Sequence, residues 1–415
     1  MDPVSRRSVL VAVAAGTVTT AATAANAASF GNPDEPPQGK INTTNNPTSF
    51  TDPGPQNPAL SSQFPDAFSP PATDAGASPM FWASFNNAPR RIQNGGWARQ
   101  VTQSDFQIAE EIAGVNMRLA RGGIRELHWH QAAEWAYVSR GAVRVTTIDT
   151  AGRASVEDIG EGGLWYFPTG LPHSLQGIGE DGAEFILAFD NGRQTEYSTL
   201  LLSDWLAHTP PDILAQNFNV PAETFSKIPL HQLYIFPGQM PGPQPETPAD
   251  SAGKIPNPST FALASMPPSR KTAGGEVRIA DSRNFKAAVT VAAALVTLRP
   301  GGLREMHWHP NADEWQYWIS GQGEMTVFNT GPSAVTQNFN PGDIGYVKKS
   351  LGHYIKNTGN TDLNFLEIFR SDRYEDISLS DWLSHTPHAL VAQHLNVDPS
   401  VVAQFPNNNP KILPE

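Results

Sequence analysis

Two strings in the chain carry residues that could hold a metal ion: LHWHQAAEWAYVSRG from Leu127 and MHWHPNADEWQYWISG from Met306. Alternate side chains of a strand share a face, so His128 and His130 point together while Trp129 points away, and His307 and His309 flank Trp308 in the same way. Glu134 or Glu314 follows a few residues later, and His173 or His353 comes from a distant segment entered through a Gly-containing turn. Three imidazoles and one carboxylate make a compact site for a divalent transition metal, with a position left for water or substrate. The chain has no cysteine, so histidine and carboxylate must supply every ligand. A single His-x-His pair reads equally well as two hydrogen-bonded core histidines. Two full sets at matched spacing favour metal binding in both places. Arg125 and Arg304 each stand three residues before the first histidine. A guanidinium there can grip a carboxylate through paired hydrogen bonds, whereas a surface ion pair is the bland reading of one arginine alone.

These residues belong to a duplication. Gly96, Arg99, Phe106, Gly122, Arg125 and His128 recur as Gly275, Arg278, Phe285, Gly301, Arg304 and His307, a constant offset of 179. One inserted residue makes the offset 180 from Glu134 and Glu314 onward, through His173 and His353. Period and length point to two copies of a whole domain and exclude a short-period solenoid. Short segments such as GAVRVTTID and GEMTVFNT, bounded by Gly turns, read as antiparallel strands. The stretch from Asp204, DWLAHTPPDILAQNFNV, and its echo from Asp381 have helical spacing and an acidic start, so helices end each copy.

The rest of the chain frames the copies. Residues 1–27 read as an export signal, with Arg6 and Arg7, an apolar run and AANA ending at Ala27. The arginine pair resembles a twin-arginine signal, and a general secretory signal is the alternative; either carries the protein to the periplasm or outside the cell. Residues 28–79, rich in Pro, Asn, Ser and Thr, read as an extended arm, and 231–258 as a Pro-rich linker. Over 415 residues, 28 Lys and Arg against 40 Asp and Glu give a net charge of -12, which argues against nucleic acid or an anionic membrane as partner. No apolar run after the signal suggests a membrane span.

GGIRELHWHQAAEWAYVSRG and GGLREMHWHPNADEWQYWISG are similar to the first cupin motif, and GGLWYFPTGLPHSLQ and GDIGYVKKSLGHYIKN to the second. The resemblance spans nearly everything after the arm and is to the bicupins of the oxalate decarboxylase family. It implies an all-β fold with short helices, built as two tandem cupin domains, each a β-jelly-roll or barrel, at 80–230 and 259–415. It implies manganese, one ion per domain, on His128, His130, Glu134 and His173 and on His307, His309, Glu314 and His353. Donor type alone would equally suit iron, nickel, zinc or copper. It also implies oxalate as substrate, formate and CO2 as products, dioxygen as a co-substrate not consumed overall, and a homo-oligomer. Lys348 and Ser350 replace Pro168 and Gly170 in the second motif, which predicts a looser loop there.

The copies differ after that motif. The path from Phe189 to Trp205 is three residues longer than that from Phe369 to Trp382 and contains NGRQTEYST. This resembles the family's mobile lid, which makes Glu196 the proton-transfer residue. Tyr197 stands where the family usually has a small polar amide. In the second copy Glu367 replaces Leu187, as a rival catalytic carboxylate or a structural one held by Arg304. Arg125, Glu196, Arg304 and Glu367 are thus the candidate catalytic residues, with the main site in the first copy. Alternatives are oxalate oxidase, against which the lid Glu196 argues; a cupin dioxygenase, which predicts a larger apolar pocket; and a storage or binding bicupin, which needs no open metal position.

Overall fold

The computed structural model describes residues 57–67, 69–243, 248 and 250–415; the expected signal at 1–27 and the beginning of the expected arm lie outside them. Each copy is a two-faced barrel of antiparallel strands. In the first, strand Glu134–Ile148 runs from one face to the other. It pairs with Ala183–Phe189 and Leu164–Phe167 at its start and with Ala154–Gly160 and His173–Gly177 at its end. The corner falls at Gly141, where φ is +75° and a Cβ would lie 2.1 Å from the Gly182 carbonyl oxygen, so only glycine fits. In the second copy the same corner, at Gly321, interrupts the strand into Glu314–Ser320 and Gly323–Asn329. Among the described residues its faces therefore form separate sheets of seven and six strands, where the first copy has one sheet of 12. Helices Leu202–Ala207 and Pro211–Phe218 close the first copy, and Leu379–Ser384 and His388–Leu395 the second, where the repeated acidic-start segments place them. No helix among the described residues is long and apolar enough to cross a membrane.

Each barrel has its own apolar interior, and a third core lies between them. Trp135 and Tyr166 of the first copy meet Trp315 and Tyr346 of the second there, with Phe85 beside them. The copies also exchange edges. Trp82–Ser84 pairs with Asp343–Val347 of the second barrel, and Thr260–Phe261 pairs with Leu164–Phe167 of the first. An open sheet edge exposes unpaired backbone groups, and the exchange covers one edge on each barrel. The expected boundaries near residues 80 and 259 therefore divide the sequence but not the sheets.

Two segments read as unstructured are part of the fold. From Asn57 the arm is strapped to the second barrel. The Asp74 carboxylate accepts from Thr336 N and Oγ1, both at 2.7 Å, Asn338 Nδ2 donates to Asp66 at 2.7 Å, and Ala75 bridges to Ala334. The small polar residues that suggested disorder are here caps for a strand edge. Within the expected linker, Ile235–Phe236 pairs with Ile124 and Arg125 and so belongs to the first barrel.

A methyl group at Gly114 would stand 2.4 Å from the Trp315 ring across the shared core. Gly114→Ala is expected to cost about 1–3 kcal/mol in urea denaturation, the usual penalty of overpacking; an unchanged midpoint would contradict this contact between the barrels.

Candidate metal centres

Strand pairing assembles both ligand sets. His128 on Ile124–Trp129 lies opposite His173, and His307 on Leu303–Trp308 lies opposite His353. Glu134 and Glu314 begin the neighbouring strands. In each set the four ligand atoms are buried and lie within 4.8 Å of one another. An odd spacing would put Arg125 on the opposite face from His128, but a shift of register between Arg125 and His128 turns the guanidinium inward, and the same shift recurs between Arg304 and His307.

Every ring is oriented by a backbone carbonyl at its Nδ1. The acceptors are Glu126 O for His128 at 2.6 Å, Ala132 O for His130 at 2.9 Å and Leu171 O for His173 at 2.8 Å. In the second copy they are Glu305 O at 2.7 Å, Glu375 O at 2.7 Å and Leu351 O at 3.1 Å, for His307, His309 and His353. Donation from Nδ1–H leaves the Nε2 lone pair for a metal. The second oxygen of each carboxylate is held too: Trp165 Nε1 donates to Glu134 and Gln316 Nε2 to Glu314, both at 2.7 Å.

The donor set fits a divalent cation. Glu314 Oε2 and His353 Nε2 stand 2.9 Å apart, yet among the described residues neither has a hydrogen-bond partner, and His173 Nε2 is likewise buried without one. Lone pairs aimed at a common point, not at each other, produce that arrangement. Burial, aided by the neighbouring arginine, holds His128 and His307 well below the ordinary imidazole range, so both are neutral. Burial alone would raise the Glu134 carboxyl, but His173 and His130 reverse it and keep the group ionised; Glu314 behaves alike through His353 and His309. For His128 and His307, neutral imidazole beside ionised carboxylate is the protonation state metal ligation requires, whereas His309 is raised despite its burial by the bond to Glu314, a proton that a bound ion would displace.

The surroundings of the two arginines differ. Arg125 Nη1 donates to Tyr234 O and Nη2 to Glu196 Oε2, each at 3.3 Å, and the Tyr234 hydroxyl donates to the same Glu196 oxygen at 2.8 Å. Burial, then the charge of Glu196, pushes the Tyr234 phenol upward, so it stays a donor. Glu196 opens the one-turn helix Glu196–Ser198, closed by reciprocal bonds between Thr195 and Ser198. Its backbone N–H donates to Gln100 Oε1 at 2.9 Å. In the second copy Arg304 meets Glu367 at 3.3 Å, Asp376 at 2.8 Å, the Tyr374 hydroxyl at 2.7 Å and Lys411 O at 3.2 Å. Lys411 closes the cluster on Asp376. Burial pushes the Glu367 carboxyl up despite Arg304, and Tyr374 donates to it at 3.1 Å.

Among the described residues no carbonyl of the longer segment of the first copy accepts from a ligand ring, since His130 is oriented by its own neighbour Ala132. The shorter segment of the second copy carries Glu375, whose carbonyl orients His309, and Tyr374, which is 3% exposed. The orientation of a ligand ring therefore depends on this segment in the second copy and not in the first. The loop carrying Ser350 is not looser than its counterpart. Ser350 keeps the left-handed turn of Gly170, φ +68° against +76°, its N–H bonds His309 O at 2.9 Å, and Lys348 binds Glu110 and Asp313.

A cupin family model matches residues 83–225 and 261–403. The oxalate decarboxylase OxdC of Bacillus subtilis (strain 168) is 48% identical over 344 residues, 83% of this chain and 89% of that protein. The chain belongs to the bicupin oxalate decarboxylase family. A probable oxalate decarboxylase of Arthroderma benhamiae is 39% identical over 81% of this chain and 83% of its own length. A solved structure of the Bacillus subtilis family member at pH 4.6 superposes with a TM-score of 0.83 at 46% identity, covering 87% of this chain and 94% of that one. Another, described with Mn(II) centres, gives a TM-score of 0.84 at the same identity, covering 87% and 96%.

All eight expected ligands are brought together in their two sets, and Arg125, Glu196, Arg304 and Glu367 are buried beside them. Sequence reasoning missed Tyr234, Tyr374, Asp376 and Lys411, and the buried Glu126 and Glu305 that hold the N–H groups of Tyr234 and Lys411. The signal was faint: Tyr234 and Lys411 precede equivalent two-residue strands, too short for the duplication to reveal. Metal-free protein is expected to take up one manganese ion per ligand set, and His173→Ala to lose only the ion of the first set; elemental analysis would read both.

Proposed function

We propose that the protein converts oxalate to formate and CO2 with manganese in both ligand sets, and that the N-terminal centre is the main site. The observation that carries this assignment is the Arg125–Glu196 pair. Glu196 is the ion-pair partner of Arg125 among the described residues and rides on a segment that no ligand ring depends on, whereas Arg304 is saturated by fixed partners.

The overall change, oxalate dianion plus a proton to formate plus CO2, breaks a C–C bond and forms a C–H bond. Manganese, when held by His128, His130, Glu134 and His173, supplies Lewis acidity and one-electron redox chemistry. Arg125, whose Nη2 donates to Glu196, binds an oxalate carboxylate in its place. Glu196, freed from the guanidinium, takes the proton of the oxalate monoanion and returns it to carbon once CO2 has left. Tyr234, held protonated, fixes the carboxylate between transfers. The turn that carries Glu196 shields the site from water while the charge is unneutralised. Dioxygen as a co-substrate without net consumption belongs to the same proposal, on the family resemblance. So do export, on Arg6, Arg7 and the run to Ala27, and assembly into a homo-oligomer.

Manganese-loaded protein at mildly acid pH should release formate one for one with the oxalate consumed and little peroxide. Peroxide as the main product would mean oxidase chemistry, and neither product would refute the proposal. Glu196→Gln is expected to lower decarboxylation by roughly 100-fold or more, the usual worth of a proton-transfer group, with both metal ions retained. Glu367→Gln should cost much less; the opposite ranking in the same assay would move the main site to the second copy.

A further inference from the structure

A cavity of about 220 Å³ opens against the lid, lined by Arg91, Arg99, Asp105, Glu196, Tyr197 and Tyr234 among others. Within it the Arg91 guanidinium carbon lies 3.6 Å from the ring centre of Tyr234 and 5.0 Å from that of Tyr197. Tyr234 belongs to the frame and donates to Glu196; Tyr197 is the residue after Glu196 on the lid. Arg91 is anchored by Nη2, which donates to Gln232 Oε1 at 2.9 Å, while its Nη1 is buried with no hydrogen-bond partner among the described residues. Tyr197 itself is 72% exposed and fills no core, so packing does not account for an aromatic ring at this position.

The second copy supplies an internal control. Arg270 occupies the place of Arg91 by the same offset, and it is tied to backbone: Nε donates to Asn409 O at 3.1 Å and Nη2 to Asn409 O at 2.7 Å and to Asn408 O. An arginine satisfied in that way needs no aromatic partner. Arg91, with one side-chain hydrogen bond among the described residues, presents its π faces and a spare donor to whatever stands over it.

We propose that Arg91, stacked between Tyr234 and Tyr197, is a latch that positions the lid with Glu196 turned in against Arg125. A cation over an exposed aromatic ring shifts a two-state balance by about two- to fivefold, enough to bias the lid toward closure without preventing release. Arg91 and Tyr197 are positioning residues: they act through Glu196. For catalysis the consequence rests on the decarboxylase reading. A lid that opens too readily admits oxygen and water before the proton is returned, so loss of the latch raises the share of peroxide among the products.

Hydrogen–deuterium exchange tests the latch without turnover. In manganese-loaded full-length protein, the peptide covering residues 191–199 is compared in wild type, Tyr197→Asn, Tyr197→Phe, Arg91→Gln and Arg270→Gln, with rates corrected for each substitution's intrinsic effect. The expected result is exchange about two- to fivefold faster in Tyr197→Asn and Arg91→Gln, and unchanged in Tyr197→Phe, which keeps the ring, and in Arg270→Gln. Wild-type exchange in Tyr197→Asn, or equal acceleration in Tyr197→Phe and Tyr197→Asn, would overturn the latch. Because Tyr197 is exposed, Tyr197→Asn is informative even if Arg91→Gln folds poorly. A wild type that makes no formate would sink the decarboxylase reading and leave the exchange result to judge the latch.

Discussion

Each barrel buries an arginine against its metal ligands, and a guanidinium taken out of water must be met by a carboxylate. Much of the difference between the two centres follows from where that carboxylate comes from. In the C-terminal copy it comes from the wall, as Glu367 on strand Leu363–Phe369, and from Asp376, which is fixed in turn by Lys411. In the N-terminal copy the wall offers Leu187 instead, so Arg125 depends on Glu196, a residue of the longer connecting segment. An apolar residue at one strand position thus hands the balancing of a buried charge to the longer connecting segment. In the proposed reaction oxalate brings its own carboxylate to Arg125, and that segment is released for proton transfer.

The metal cages are conserved between the copies because their geometry is built into the sheet. Paired strands set His128 against His173 and His307 against His353, and carbonyls of nearby backbone turn most of the rings. The exception is His309, oriented by Glu375 O from the segment equivalent to the lid. That contact ties the segment to a ligand in the second copy, while His130 in the first uses Ala132 O instead. Exchange of the edge strands and the shared aromatic core make one body of the two barrels, so one centre can specialise while the other retains an intact cage.

Much of this was legible in the sequence. The eight ligands, both arginines and the two carboxylates, Glu196 and Glu367, stand out because a duplication displays matched positions, and departures from the match mark where function diverges. The boundaries of the copies were less legible, since hydrogen bonding across an exchanged edge leaves no trace in local composition. The arm from Asn57 and the stretch around Tyr234 read as loose for a related reason: short polar or Pro-flanked segments that pair with a barrel edge look like linkers until the edge is known. Tyr374 and Asp376 escaped notice because the offset between the copies breaks in that segment. The inward turn of Arg125 depends on a shift of register that no alternation pattern predicts.

The central claim is that only the N-terminal arginine is free to receive substrate. Manganese paramagnetic resonance on two half-loaded proteins tests it most directly: His307→Ala with His309→Ala, which keeps the first centre, and His128→Ala with His130→Ala, which keeps the second. On titration with oxalate, the signal of the first protein should change and that of the second should not. A change confined to the protein that keeps the second centre would contradict the account.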